Sequence, residues 1–160
     1  MNKIKIGFAV DIHRLETGTG FVLGGVRLPS DRKTVAHSDG DCLYHAVAEA
    51  ILGALALGDL GTFFPPSDPN TIGLDSSVIL KFAVNQAKVR GYAIGNIDCS
   101  VVLEQPKLRP YIENMCSNMA EILEVGVEDV SIKAGTNEGV DEVGRNLAVQ
   151  CFAAVLLVQR

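Results

Sequence analysis

Ala36-His37-Ser38-Asp39-Gly40-Asp41-Cys42-Leu43-Tyr44-His45-Ala46 opens a segment that continues as an apolar run to Leu57 and closes on Gly58-Asp59-Leu60-Gly61. The run Cys42 to Leu57 is rich in Ala and Leu and predicts a helix, with Gly58 placed to stop it. Ser38, Asp39 and Asp41 are residue types that cap helices or fill their first turn, because their short side chains accept from otherwise unpaired amides. His45 then stands about one turn inside the helix, near the positive end of its dipole, where anions are favoured. His37, His45, Asp39, Asp41 and Asp59 thus bracket one helix, an arrangement suited to handling phosphate. A turn-and-cap reading accounts for the acids. It leaves His37 unexplained.

Upstream, Ile4, Ile6 and Phe8 alternate with Lys5, Gly7 and Ala9, the period of a strand. That strand delivers Val10-Asp11-Ile12-His13 at its end, with Asp11 and His13 on one face. Phe21-Val22-Leu23, Gly24-Gly25 and Val26-Arg27-Leu28 read as a hairpin about a Gly-Gly turn, and Pro29 to Thr34 as a polar loop. Downstream, Gly58 to Gly73 carries Pro65, Pro66 and Pro69 and no periodicity, the mark of a long functional loop. Asp75 or Ser76 caps a second helix that runs to about Arg90 and stops at Gly91. Ile97 to Leu103 predicts a strand, and Pro110 the first turn of a third helix, to about Glu124. Val130, Ile132 and Ala134 alternate in a strand that ends at Gly135-Thr136-Asn137-Glu138. Gly139 to Gly144 reads as a loop. Leu147 to Val158 fits either period, and its Val and Phe content favours strand. With no linker in 1–160, these pieces predict one domain, a compact α+β sandwich of helices covering a mostly antiparallel sheet.

The chain has 160 residues, of which 48% are apolar and 21% charged, enough to bury a core without disulfides or structural metal. A net charge of −5 and the lack of any Lys/Arg cluster argue against nucleic acid as a partner. No apolar stretch reaches the roughly 18 residues of a membrane span. The first residues also lack the apolar core of a signal peptide. Cys42, Cys99, Cys116 and Cys151 form no Cys-x-x-Cys pair and read as small core residues in a reducing cytoplasm.

The chemistry-bearing residues are few. The three histidines, His13, His37 and His45, each sit beside acidic or hydroxyl residues at an expected element end. Asp11, His13 and His45 make a carboxylate and two imidazoles, a set that suits a divalent metal such as zinc with one position left open. Cys42, three residues before His45 on the same helix face, is a further ligand that spacing alone does not exclude. His37, Ser38 and the helix N-terminus suit an anionic oxygen. Glu138, beside Gly135 and Thr136, suits either solvent or a second, harder ion.

Asp11-Ile12-His13, Gly24-Gly25-Val26-Arg27, Ala36-His37-Ser38-Asp39-Gly40-Asp41 with His45, and Leu57-Gly58-Asp59-Leu60-Gly61 resemble 2-C-methyl-D-erythritol 2,4-cyclodiphosphate synthase. So do Phe64-Pro65 with Ser67-Asp68-Pro69, Gly91-Tyr92 with Gly95-Asn96-Ile97-Asp98, Pro106-Lys107, and Lys133-Ala134 with Thr136 and Glu138. The resemblance runs in order along essentially the whole chain. It implies a phosphorus–oxygen lyase of the non-mevalonate route to isoprenoid precursors. Such an enzyme converts 4-diphosphocytidyl-2-C-methyl-D-erythritol 2-phosphate to the cyclic 2,4-diphosphate and CMP, by attack of the 2-phosphate on the β-phosphorus.

The resemblance also implies roles. Zinc falls to Asp11, His13 and His45, with Ile12 among the substrate contacts. Magnesium or manganese falls to Glu138, and transition-state charge to His37 and Thr136 with Ser38 nearby. Asp59, Leu60 and Gly61 resemble the positions that hold the methylerythritol part, and Phe64, Pro65, Pro66, Ser67 and Asp68 line the same pocket. Leu103, Glu104, Gln105, Pro106, Lys107, Leu108 and Arg109 resemble the loop that reads cytosine through its backbone. Gly135 and Asn137 flank Thr136 among the substrate contacts. The implied assembly is a homotrimer of ferredoxin-like α/β sandwiches with active sites between subunits. The lack of a targeting segment suggests a bacterial cytoplasm, and a plastid enzyme with its transit peptide trimmed would look alike. Two departures stand out. Pro66 replaces an aspartate found in many members. Glu142 replaces an aromatic beside Arg145, in a region lining a central cavity that can hold an isoprenoid diphosphate. Other readings are a generic zinc-dependent phosphohydrolase and a non-catalytic metal- or nucleotide-binding trimer of the same fold; the second would need a broken ligand set.

Overall fold

The alternation that begins at Ile4 does not stop at His13. In the computed structural model, which describes residues 3–160, strand β1 runs from Ile4 to Thr17 and carries Asp11 and His13 in its interior. Met1 and Asn2, part of the expected 1–160 span, lie outside the described residues. The extra length comes from pairing: Leu15 to Thr17 bonds to β4 (Arg32–Thr34), a short strand in a stretch expected to be loop. Between them β2 (Phe21–Leu23) and β3 (Val26–Leu28) form the expected hairpin. Its turn glycines have φ of +57° and +71°, and a Cβ on Gly25 would lie 2.4 Å from the Tyr44 hydroxyl.

Helix α1 (Cys42–Ala54) starts where its cap residues predict and ends short of Leu57. It closes as a Schellman turn: Leu57 N donates to Leu52 O and Ala56 N to Gly53 O, both at 3.0 Å. Ala56 takes the left-handed position there, so the stop comes before Gly58. The expected 58–73 loop holds two short helical pieces, α2 (Leu60–Phe63) and a 3-10 turn at Pro69–Thr71, capped by Asp59 and Asp68. Helix α3 (Ser76–Lys88) is capped by Asp75. Strand β5 (Tyr92–Val102) starts ahead of Ile97 because its first residues pair with the end of β7 (Ala148–Gln159), the ambiguous piece that is indeed strand. Helix α4 (Ile112–Leu123) and strand β6 (Val130–Gly135) follow β5. The 139–144 segment, expected as loop, contains one helical turn, α5 (Asp141–Gly144), whose first residue, Asp141, accepts the Val143 and Gly144 amides.

The main sheet has the order β4-β1-β7-β5-β6 and is antiparallel except for β5–β6. A parallel pair needs a crossover, which α4 supplies. Helix α1 packs on β1 and β7 and against α3. The expected layering of helices on a mostly antiparallel sheet therefore holds. The chain path corrects the ferredoxin-like expectation. Such a unit reads β-α-β-β-α-β, whereas here helices separate β1, β5 and β6 in turn. The α4 crossover puts β5 and β6 side by side, and β7 fills the centre of the sheet between β1 and β5.

The two faces of β1 differ sharply. Gly7, Ala9, Asp11, His13 and Leu15 face the helices. A Cβ on Gly7 would lie 1.8 Å from the Ala50 carbonyl oxygen, so the small residues let α1 close down on β1. On the open face Ile4, Ile6, Phe8, Val10 and Ile12 are 40–73% exposed. Phe152, Ala154, Leu156 and Val158 of β7 lie opposite them in register and continue the apolar surface. No described helix is long and apolar enough to cross a membrane.

Candidate metal centre and active site

Strand period and helix packing bring Asp11, His13 and His45 together. Asp11 and His13 project from the helix-facing side of β1 beneath the first turn of α1, whose N-terminus is fixed by Asp41: its Oδ1 accepts the Tyr44 amide at 3.1 Å. His13 Nε2 lies 3.0 Å from His45 Nδ1 and 3.3 Å from Asp11 Oδ2, and His45 Nδ1 lies 3.4 Å from the same Oδ2. Donors about 2.0–2.1 Å from one tetrahedral zinc stand about 3.3 Å apart, so the triangle has the size of such a ligand set. Asp11 Oδ2 is buried and has no hydrogen-bond partner, an orphan that a cation would satisfy. Burial lowers the His13 pKa, with His45 adding to the effect and Asp11 opposing it. The neutral imidazole is the form that ligates a metal.

Cys42 does not join the set. Its Sγ donates to the main-chain oxygens of Asp11 at 3.3 Å and Val149 at 3.7 Å, inside the core, and burial pushes the thiol up. The group able to hold an ion among the described residues is Asp11, His13 and His45 alone.

Residues that spacing did not reveal support this triangle. Ser76, fully buried at the start of α3, has its Oγ 2.8 Å from His45 Nε2 and donates to Asp39 Oδ1. Ser38 Oγ is 3.2 Å from the same nitrogen and accepts the Gly40 amide. Asp39 N donates to Leu74 O and Gly73 N to His37 O, which fastens the end of the 58–75 segment beside the triangle. His37 itself is exposed. At the other end of that segment, Glu49 Oε1 accepts the Leu60 amide at 3.2 Å, so α1 carries both His45 and an anchor for the Asp59 turn. Glu49 is four residues after His45 on one helix face, a signal that was available in the sequence. Phe63 and Phe64 pack on Phe82 of α3 at 5.0 and 5.3 Å between ring centroids. The predicted loop residues Asp59, Leu60, Gly61, Phe64, Pro65, Pro66, Ser67 and Asp68 thus lie on one segment tied at both ends to the metal triangle's own supports.

A second region forms elsewhere. Leu103, Lys107, Leu108, Arg109, Ile112, Ile132, Ala134, Gly135 and Thr136 line a cavity of about 770 Å³ at the ends of β5 and β6. It unites part of the expected cytosine loop with Gly135 and Thr136. Gln105 N donates to Asn146 Oδ1 at 3.2 Å, and Lys107 Nζ to Glu104 O at 3.3 Å, which brace that loop. Glu138 is exposed, in the left-handed region, and belongs to no ligand cluster among the described residues. Asp11 and Ala134 occupy the same level of the sheet, through Cys151 and Val101, with β7 and β5 between them. Three strand spacings separate them by roughly 14 Å. The two clusters therefore lie on different strands of the same sheet, with two strands between them.

A model of the YgbB family matches residues 4–158. The chain belongs to that family. Its curated relatives include the 2-C-methyl-D-erythritol 2,4-cyclodiphosphate synthase of Nostoc punctiforme, 46% identical over 159 residues and 99% of each chain. The IspF of Plasmodium falciparum, solved as a CDP complex, superposes with a TM-score of 0.87 at 32% identity, over 100% of this chain and 99% of that one. The bifunctional IspDF of Campylobacter jejuni superposes with a TM-score of 0.95 at 32% identity; this chain spans 43% of it. Pro66 and Glu142, the two residues that stand apart in the sequence, have clear structural places. Pro66 is exposed in a turn closed by Asp68 N donating to Pro65 O at 2.9 Å. Glu142 pairs with Arg145 at 3.1 Å, both side chains being more than half exposed.

Proposed function

We propose that this YgbB-family chain, as one domain over 1–160, is a 2-C-methyl-D-erythritol 2,4-cyclodiphosphate synthase working as a homotrimer. The single observation that carries the reading is the Asp11/His13/His45 triangle, of zinc-ligand size and built around an orphaned carboxylate oxygen. Zinc held there supplies a Lewis acid and a template for a phosphate oxygen. Glu138 would hold magnesium or manganese through a carboxylate oxygen, and such an ion would neutralise phosphate charge.

The remaining work is positioning and charge. The 2-phosphate oxygen forms its bond to the β-phosphorus as the bond from that phosphorus to the oxygen of the α-phosphate breaks, and CMP leaves. Both reacting groups belong to one molecule, so holding it folded supplies much of the acceleration. The Asp59–Gly61 turn and the Phe64–Asp68 segment grip the methylerythritol part. The 103–109 loop and Gly135 to Asn137 hold the cytidine part in the 770 Å³ cavity. His37, Ser38 and Thr136 donate toward the growing phosphate charge.

The trimer reading is supported twice. The Asp11/His13/His45 cluster and the cavity lie roughly three strand spacings apart in one chain, which suits a site completed by a neighbour's residues. The open face of β1 and β7 exposes a continuous apolar strip of the kind that marks subunit contacts. Arg145 borders the proposed axial cavity, and its Glu142 partner competes there with any isoprenoid diphosphate, so weak binding is expected. The four free thiols accord with a reducing cytoplasm. Incubating the zinc-loaded protein with magnesium and 4-diphosphocytidyl-2-C-methyl-D-erythritol 2-phosphate, followed by phosphorus NMR, tests the reading. Equal CMP and cyclic diphosphate are expected. Inorganic phosphate instead would point to a hydrolase, and no turnover with zinc bound would point to a non-catalytic binding trimer.

A further inference from the structure

The pair Asp39–Ser76 sits directly behind the metal triangle. Ser76 N donates to Asp39 Oδ2 at 3.1 Å and its hydroxyl donates to Asp39 Oδ1, which also takes the Asp41 amide at 3.1 Å. A carboxylate only accepts, and a serine hydroxyl has one proton to give. That proton is committed to Asp39, so Ser76 presents a lone pair to His45 Nε2, 2.8 Å away. With Ser38 Oγ farther off at 3.2 Å, the shorter Ser76 contact sets the tautomer, and Nε2 carries the hydrogen that Ser76 accepts. A neutral imidazole with hydrogen on Nε2 has its bare lone pair on Nδ1, the atom 3.0 Å from His13 Nε2 and 3.4 Å from Asp11 Oδ2.

We infer that Asp39 and Ser76 are positioning residues for the metal centre: they hold His45 in the tautomer, and at the ring angle, that aims Nδ1 at the ion. Groups in this place behind a ligating histidine are worth about 10- to 100-fold in metal affinity. Ser76 also opens α3 at the end of the substrate-loop segment, so the same hydroxyl registers that segment on the metal ligand. The inference rests on the metal reading of the triangle.

Two measurements on the full chain test it. Nitrogen NMR of the metal-free protein is expected to show His45 with its proton on Nε2. Ser76→Ala keeps the main-chain bond to Asp39 and adds no bulk. It is expected to mix the tautomers, weaken zinc binding in a chelator competition by about 10- to 100-fold, and alter the visible spectrum of bound cobalt, in a protein that still unfolds cooperatively at a somewhat lower midpoint. A proton on Nδ1 in the wild type would overturn the inference. So would a Ser76→Ala protein with wild-type zinc affinity and cobalt spectrum. If Ser76→Ala unfolds, the tautomer of the wild type decides alone. A wild-type chain that takes up neither zinc nor cobalt overturns the metal reading instead, and the inference falls with it.

Discussion

Asp41 is fully buried, and its two carboxylate oxygens take three amides: Gly24 at 2.9 Å, Gly25 at 2.7 Å and Tyr44 at 3.1 Å. Burial pushes its carboxyl up while the three amides pull it back. One side chain thus caps α1 and pins the hairpin turn. Asp41→Ala is expected to cost about 2–4 kcal/mol in urea unfolding, one helix cap plus buried amides left unpaired. Asp59 makes a pH prediction with a definite sign. Thr62, through its hydroxyl at 2.9 Å and its amide at 3.0 Å, holds the Asp59 carboxyl below its ordinary value. The α2 turn is therefore supported above the ordinary carboxylate range and loses that support as pH falls through it. The Thr62 amide resonance should move accordingly, and Asp59→Asn should flatten the change. Asp11, His13 and His45 were readable because strand and helix periods put them on facing surfaces. Ser76 was not, since its partner Asp39 lies 37 positions away with nothing local to join them. Cys42 is the small core residue the sequence suggested; spacing gave only its helix face and left a ligand role open, and packing turns its sulfur to carbonyls of β1 and β7.

Helix α1 and strand β1 work as a pair set at a fixed gap. Gly7 is the closest approach, and Gly7→Ala forces the helix outward because the added carbon meets main chain that cannot yield. The expected stability loss is about 1–3 kcal/mol. Zinc affinity should fall with it, since His45 rides on α1 and its two partner ligands on β1; titration with a chromophoric chelator reads this directly. Element types were largely legible in the sequence, boundaries less so. Alternation marked β1, but pairing carries it past His13: with β7 to Arg14 and with β4 from Leu15 to Thr17. The Asp59 and Asp68 caps, and Asp141 at the start of α5, were visible as residues. The short turns they begin were hidden by the prolines and glycines around them.

The order of strands in the whole molecule was beyond the sequence, because periodicity reports which face a residue takes and not which strand lies beside it. Family resemblance gave the layers correctly and the path wrongly. The open apolar face of β1 and β7 yields the prediction at this scale. Phe8→Glu places a charge in the middle of that strip, 65% exposed in the single chain. Sedimentation should show monomers that still bind zinc through the intact triangle, yet turnover should vanish because no neighbour completes the site. A trimer with wild-type activity would refute the assignment of this face.

In the proposed trimer, with the Asp11/His13/His45 cluster and the cavity on different strands of each chain's sheet, damage can be shared out between chains. A His45→Ala chain spoils only the metal half it contributes, and a Thr136→Ala chain only the cavity half. Each refolded alone is expected to be inactive. Unfolded, mixed and refolded together, the two should complement one another, since some boundaries then join an intact triangle from one parent to an intact cavity from the other. Two loss-of-function alleles would make a working enzyme between them.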